Sequence, residues 1–189
     1  MSKLLVVVDM QNDFIDGSLG SDEAKTIVNN VVEKIKTRRE EGYEIVYTVD
    51  THGEDYMETE EGKNLPVVHC VENTEGWNLE PSILGVAGSK PTVFDKDTFG
   101  SIGLAQSILI ETYKGVNYDT IELVGLCTDV CVISNAIACK MGSPNSHIVV
   151  DASCCAGVTP HSHDVAIEAM KGVQVEILNE GAEPWKVIK

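Results

Sequence analysis

The residues of this chain best placed to do chemistry lie in Gly125-Leu126-Cys127-Thr128-Asp129-Val130-Cys131-Val132, directly after the apolar run Thr120–Val124. The run predicts a buried strand. Residues 130–141, with Val132, Ala136 and Ala138 among their small and apolar positions, predict a helix. Cys131 is therefore expected in the first turn of a helix that leaves the carboxyl end of a strand. Free backbone N–H groups and the positive end of the helix dipole point outward there, and both favour a thiolate over a thiol. That is where a nucleophile belongs.

Partners for it come from other strand ends. Asp9, Gln11, Asp13 and Phe14 follow the first apolar run, Leu4–Val8. Asp50 and His52 follow Glu44–Val49, and Lys96 follows Pro91–Asp95. An acid, a lysine and a cysteine from three strand ends make a nucleophilic site: the acid takes the thiol proton and the lysine favours negative charge nearby. Taken singly, Asp9 reads as a turn residue and Lys96 as one of a charged cluster, Asp95-Lys96-Asp97; their joint placement carries the reading. Asp50-Thr51-His52 suggests a second chemistry. In an extended segment residues i and i+2 face the same side, so a carboxylate and an imidazole share a divalent ion, and His69 adds a second imidazole. A mixed oxygen and nitrogen site suits Zn²⁺, Fe²⁺ or Mn²⁺. The alternative is two surface histidines and a turn aspartate. His161 and His163 are expected at a capped, solvated helix start.

The elements that must position these groups alternate along the chain. Helices are predicted over 22–39, 102–113 and 162–171, between strands ending near Val8, Val49, Asp95, Val124, Asp151 and Leu178. This is the pattern of a doubly wound, Rossmann-like α/β three-layer sandwich, with a six-stranded, mainly parallel sheet and right-handed crossovers. Ligands of such folds bind outside the carboxyl ends of the strands. At 189 residues and 43% hydrophobic, the sequence is expected to form one domain, residues 1–189. The polar stretch at about 51–89 is too long for an ordinary connection and reads as a functional loop.

Composition removes several classes of function. A net charge of −16 repels phosphate backbones and anionic lipid, so neither nucleic acid nor membrane is an expected partner. No signal peptide is expected, since five apolar residues before Asp9 are too few, and the expected compartment is the cytoplasm. Six cysteines without a C-x-x-C pair suggest reduced thiols, and Cys70, Cys139, Cys154 and Cys155 read as small buried residues. There is no G-x-G-x-x-G and no Walker-type loop, which argues against a nucleotide-binding module.

Asp9-x-Gln11-x-Asp13-Phe14, Lys96-x-Thr98-Phe99 and Gly125-x-Cys127-Thr128-Asp129-x-Cys131-Val132 together resemble the isochorismatase-like cysteine hydrolases, over Leu4 to about Leu178. With Asp50-x-His52 and His69, the chain looks most like their nicotinamidase (pyrazinamidase) branch. The resemblance implies Asp9 as general base, Lys96 as its charge-stabilising partner and Cys131 as nucleophile. It implies Phe14 and Gln11 beside the substrate and Asp50, His52 and His69 on one divalent metal ion. It also implies a cis peptide before Cys127, with the backbone N–H groups of Cys127 and Cys131 as oxyanion hole, and a homo-oligomer. Many relatives place another ligand between the two histidines. Here Tyr56–Glu61 has no histidine, so Glu61, Glu58 or water takes that position, and the spacing to His69 points to Glu61.

The expected function is hydrolysis of a small carboxamide, nicotinamide to nicotinate and ammonia, through a cysteine thioester. A metal-independent carbamoyl or ureido amidase of the same family is the alternative, and an inactive binding subunit a further one.

Overall fold

The computed structural model describes residues 2–187. Six strands, β1 (Ser2–Val8), β2 (Glu44–Asp50), β3 (Thr92–Lys96), β4 (Tyr118–Leu126), β5 (His147–Ala156) and β6 (Glu176–Leu178), form one sheet in the order β3-β2-β1-β4-β5-β6. Every pairing is parallel, so the sheet is wholly rather than mainly parallel. The helices are α1 (Asn12–Ile15), α2 (Asp22–Glu40), α3 (Glu60–Asn64), α4 (Pro81–Ala87), α5 (Ile102–Tyr113), α6 (Ile133–Gly142), α7 (Pro160–Gly172) and α8 (Pro184–Val187).

The central strands β1, β4 and β5 are largely apolar because both sheet faces are covered there, whereas the edge strands β3 and β6 are partly exposed. On β1, Leu4, Val6 and Val8 face a core shared with Leu104 and Ile108 of α5, Ala136 and Cys139 of α6, and Ile167 and Met170 of α7. Leu5 and Val7 face the other core, with Ala24, Ile27, Val31 and Ile35 of α2 and Ile83 of α4. Two buried carboxylates interrupt that second face. Lys34 of α2 reaches Asp151 at 2.6 Å and Glu122 at 3.0 Å, and Arg38 also binds Glu122, so neither charge is left uncompensated.

The strand order reverses between β1 and β4, the place where open parallel sheets bind ligands. Glycine is required there. Gly125 of β4 has φ +122°, and a Cβ on it would stand 2.1 Å from the carbonyl oxygen of Val8. The segment 51–89, unassigned by pattern, contains a short 3₁₀ turn (Tyr56–Glu58), α3 and α4. A parallel bridge between His52 and Val71 folds it back on itself, with His52 N–H donating to the Cys70 carbonyl at 3.0 Å. None of the helices among the described residues is long and apolar enough to cross a membrane.

Gly125→Ala is expected to lower stability by roughly 3 kcal/mol, because both the backbone conformation and the Val8 carbonyl oppose a side chain. The urea-unfolding midpoint checks this, and an unchanged midpoint would mean that β1 and β4 tolerate a wider approach.

Candidate active site

Parallel register sets the site. Asp50 pairs with Lys96 across β2 and β3, and Val8 pairs with Thr48 across β1 and β2, so Asp9, Asp50 and Lys96 emerge side by side at the carboxyl edge. Asp9 adopts φ +47°, donates its N–H to the Thr48 carbonyl, and accepts from the Thr48 hydroxyl at 2.6 Å. Lys96 Nζ stands 2.8 Å from Asp9 Oδ2, 2.9 Å from Asp50 Oδ1 and 3.5 Å from Cys131 Sγ. All four residues are buried.

Cys131 does not occupy the first turn of an α-helix, as periodicity predicts. It lies in a wide i→i+5 turn, Thr128–Val132, and α6 begins only at Ile133. Such turns are frequent at functional sites. The peptide bond between Leu126 and Cys127 is cis. Asn135 of α6 donates to the Cys131 carbonyl at 2.8 Å and to the Phe99 carbonyl at 3.2 Å, tying the turn to the loop after Lys96.

The protonation of this cluster differs from the helix-dipole expectation. Burial pushes the Cys131 thiol well above its ordinary value, Asp9 adds to the rise, and Lys96 offsets only part of it. Burial also lifts the Asp9 carboxyl above its usual range, more than the neighbouring Lys96 lowers it. Burial works against the Lys96 cation, but Asp9, Cys131 and Asp50 more than restore it. The resting group is therefore a thiol beside a charged lysine. Loss of hydration outweighs the dipole at a cysteine only 5% exposed.

The second cluster comprises Asp50, His52, Glu61 and His69, one ligand atom of each lying within 4.8 Å of the others. Asp50 Oδ2 is 2.9 Å from His52 Nε2 and 3.3 Å from His69 Nε2, and Glu61 Oε1 is 3.7 and 3.8 Å from the same nitrogens. Four ligands about 2.1 Å from a tetrahedral ion stand roughly 3.4 Å apart, which this spread brackets. His69 Nδ1 donates to the Val67 carbonyl at 2.7 Å. In the neutral imidazole Nε2 is then a lone pair facing a carboxylate oxygen, and a positive charge has to sit between them. A proton serves, and Asp50 raises the affinity of His69 for one against the effect of burial. A divalent ion serves equally, and the donor set fits it. Burial would raise Asp50, but His52, His69 and Lys96 hold it well below the usual carboxylate range.

Thiol and cluster share one cavity of about 380 Å³. Cys131 and Cys127 line it together with Asp50, Glu61 and His69, and Phe14, Leu19, Phe99 and Val158 are among the apolar walls. Glu58, by contrast, is not part of the donor set. Gln11 does not line this cavity. Its amide accepts from the Asp50 N–H at 2.7 Å and donates to the carbonyls of Asp50 and Trp77 at 2.8 Å each, so both N–H groups are used and the side chain ties β2 to the loop carrying Trp77. His163 is also misplaced by the sequence reading: it is fully buried, whereas the helix-start pattern puts it in solvent. Cys70, Cys139, Cys154 and Cys155 are free and buried, as expected. Thr48 and Asn135, which hold the chemical residues from behind, carry no local sequence signal, because Thr48 meets Asp9 and Asn135 meets Phe99 and Ser101 from far along the chain.

An isochorismatase domain model matches residues 3–180. The nicotinamidase/pyrazinamidase of Mycobacterium tuberculosis is 24% identical over 186 residues, covering 93% of this chain and 98% of that protein. The solved structure of Pyrococcus horikoshii pyrazinamidase in complex with zinc is 26% identical, with a TM-score of 0.75 over 94% of this chain and 99% of that one. N-carbamoylsarcosine amidase from Thermoplasma acidophilum is 25% identical, with a TM-score of 0.75 over 94% and 96%. The family match spans all six strands and every residue gathered at the cavity, and on that ground the chain belongs to the isochorismatase domain family.

Proposed function

We propose that this chain is an amidohydrolase that cleaves a small neutral carboxamide, with nicotinamide the substrate its cavity suits best. The observation that carries this reading is the single ammonium of Lys96, in contact with Asp9, Asp50 and Cys131, which joins a thiol and a histidine–carboxylate cluster across one apolar cavity. A flat ring with a polar ring atom meta to its amide could present the amide to the thiol and the ring atom to the histidine–carboxylate cluster. No lysine or arginine is among the described residues lining the cavity, whereas Asp50 and Glu61 are. A carboxylate-bearing substrate would find no side-chain ammonium or guanidinium among these lining residues to pair with. This favours a neutral amide over a carbamoyl amino acid, despite the similarity to N-carbamoylsarcosine amidase.

In the proposed reaction Asp9 takes the proton of Cys131 as the thiolate attacks the amide carbon, and the carbonyl electrons move to oxygen. The backbone N–H groups of Cys127 and Cys131 receive that oxyanion. Collapse expels the amine, which leaves as ammonia with the proton from Asp9, and a thioester remains. Water then attacks the thioester, giving its proton to Asp9, and the thiolate is released with the carboxylic acid. Lys96 keeps its charge throughout and lowers the energy of each anion formed beside it. Asp50, His52, Glu61 and His69 would hold one divalent ion, which when bound would supply a contact that positions a ring nitrogen more than it acts as a Lewis acid. Phe14, at the cavity wall and edge-on to His69 with centroids 5.5 Å apart, would pack against the ring. A homo-oligomer in the cytoplasm, acting on a small amide and on no nucleic acid or membrane, completes the reading.

Cys131→Ala is expected to abolish ammonia release from nicotinamide, by at least about 10³-fold, while Cys139→Ala and Cys154→Ala stay within about tenfold of the native chain. Substrate protection of any other cysteine from alkylation would overturn the assignment. The rate should also fall on the acid side as Asp9 takes up a proton, with a midpoint above the ordinary carboxylate value of 3.8, because burial raises this group. A pH profile of kcat/KM reads that midpoint, and a limb confined below the ordinary value would remove Asp9 as base.

His52→Ala should strip the divalent ion, measured by elemental analysis of the purified chain, and raise the KM for nicotinamide. Cys131 should still react with iodoacetamide. A metal-free native chain that resists chelators, ignores nicotinamide and hydrolyses carbamoyl compounds would establish the alternative amidase reading instead.

A further inference from the structure

A second row of hydroxyl, imidazole and carboxylate stands behind the turn that carries Cys131. The Thr128 hydroxyl is 2.8 Å from His163 Nδ1, and His163 Nε2 is 3.2 Å from Glu183 Oε1. Thr128 belongs to the wide turn, His163 to the start of α7, and Glu183 to the segment just before α8. All three are fully buried. Trp185 closes the row with its ring edge-on to His163, centroids 5.0 Å apart.

The direction of the hydrogen bonds follows from the chemistry. Burial would raise the Glu183 carboxyl, but backbone N–H groups and Lys186 hold it below its ordinary value, so it is ionised and can only accept. His163 Nε2 must then carry a proton. Burial lowers the imidazole below its ordinary value despite Glu183, and the N-terminal turn of α7 also disfavours a second proton. Nδ1 is therefore the acceptor, and the Thr128 hydroxyl donates to it. Both side-chain donors to Glu183, His163 Nε2 and Lys186 Nζ at 3.1 Å, converge on Oε1, and Oε2 is buried without a side-chain partner. Three apolar residues would fill this space as stably. What the polar row adds is one fixed orientation of Thr128, and hence of the backbone between Cys127 and Asp129. Asp129, next in the turn, accepts from the Val158 N–H at 2.9 Å and so sets the cavity wall from the same place.

We propose that Thr128, His163 and Glu183 form a positioning relay, through which the C-terminal segment holds the Cys127–Cys131 turn so that Cys131 Sγ faces Lys96. This rests on the reading of Cys131 as nucleophile. The Thr128 hydroxyl is sealed from the cavity's contents by its burial, so its role is exerted through the turn and not on substrate.

The test combines nicotinamide turnover with the rate at which iodoacetamide alkylates Cys131, which reads thiol placement without any amide. Thr128→Val should lower kcat about 30- to 100-fold with KM within about threefold, and slow alkylation in parallel. Thr128→Ser should recover kcat to within about threefold of the native chain. Glu183→Gln keeps the volume and removes the charge; it should also lower kcat, and adding it to Thr128→Val should cause no further loss, because one relay is broken once. Native kcat and alkylation rate in Thr128→Val, or losses that multiply in the double variant, would overturn the relay. Should Thr128→Val fail to fold, Glu183→Gln decides alone by the same two rates. Cys131→Ala separates the two readings. If it still turns over, the nucleophile assignment is wrong; if it is inert while Thr128→Val is native-like, only the relay is wrong.

Discussion

One buried ammonium organises the functional end of this molecule. Lys96 has a side chain only 1% exposed, and two carboxylates and a thiol surround it. A cation in that position is stable only while Asp9 and Asp50 stay ionised around it, and they are tolerable in the interior only while Lys96 is charged. The interaction therefore demands that β1, β2 and β3 end level with one another. Their parallel register delivers this, with Asp50 beside Lys96 and Thr48 beside Val8. The same ion pair couples two otherwise separate clusters, because Asp50 offers one oxygen to Lys96 and the other to His52 and His69.

Burial then decides where the protons rest. Taken from water, both Asp9 and Cys131 resist ionisation, so their proton affinities rise together. Under the proposed chemistry this is favourable: a base whose affinity lies above that of an exposed carboxylate is better matched to a thiol it must deprotonate. Burial also leaves the resting group a thiol and not a thiolate. An exposed cysteine at a helix start would instead ionise readily and be open to oxidation.

The architecture was legible in the sequence because its signals are local. Continuous apolar strands alternating with amphipathic helices leave few arrangements other than a parallel three-layer sandwich. Asp9, Lys96 and Cys131 could be singled out because each lies at or shortly after the end of such a strand, and strand ends converge in this fold whatever the loops do. Asp50 and His52 were legible for the same reason, through their two-residue spacing. His69 was legible as a second imidazole and Glu61 as the ligand to which the spacing points, but their meeting depends on the His52–Val71 bridge, which no local pattern announces.

Where the sequence reading failed, long-range packing had replaced a local rule. Gln11 sits among residues that face the cavity, yet the Asp50 backbone and the Trp77 carbonyl claim its amide. His163 has the surroundings of a solvated helix start, yet Glu183, twenty residues on, covers it. The thiolate expected from a helix dipole is overruled by burial, a property of the whole fold and of no single helix. The amino-acid sequence by itself determined which groups stand at the ends of which strands, since backbone periodicity and strand direction act over a few residues. Tertiary structure alone decided their charges, their partners and which of them share a cavity, because desolvation and ion pairing are set by neighbours far away along the chain.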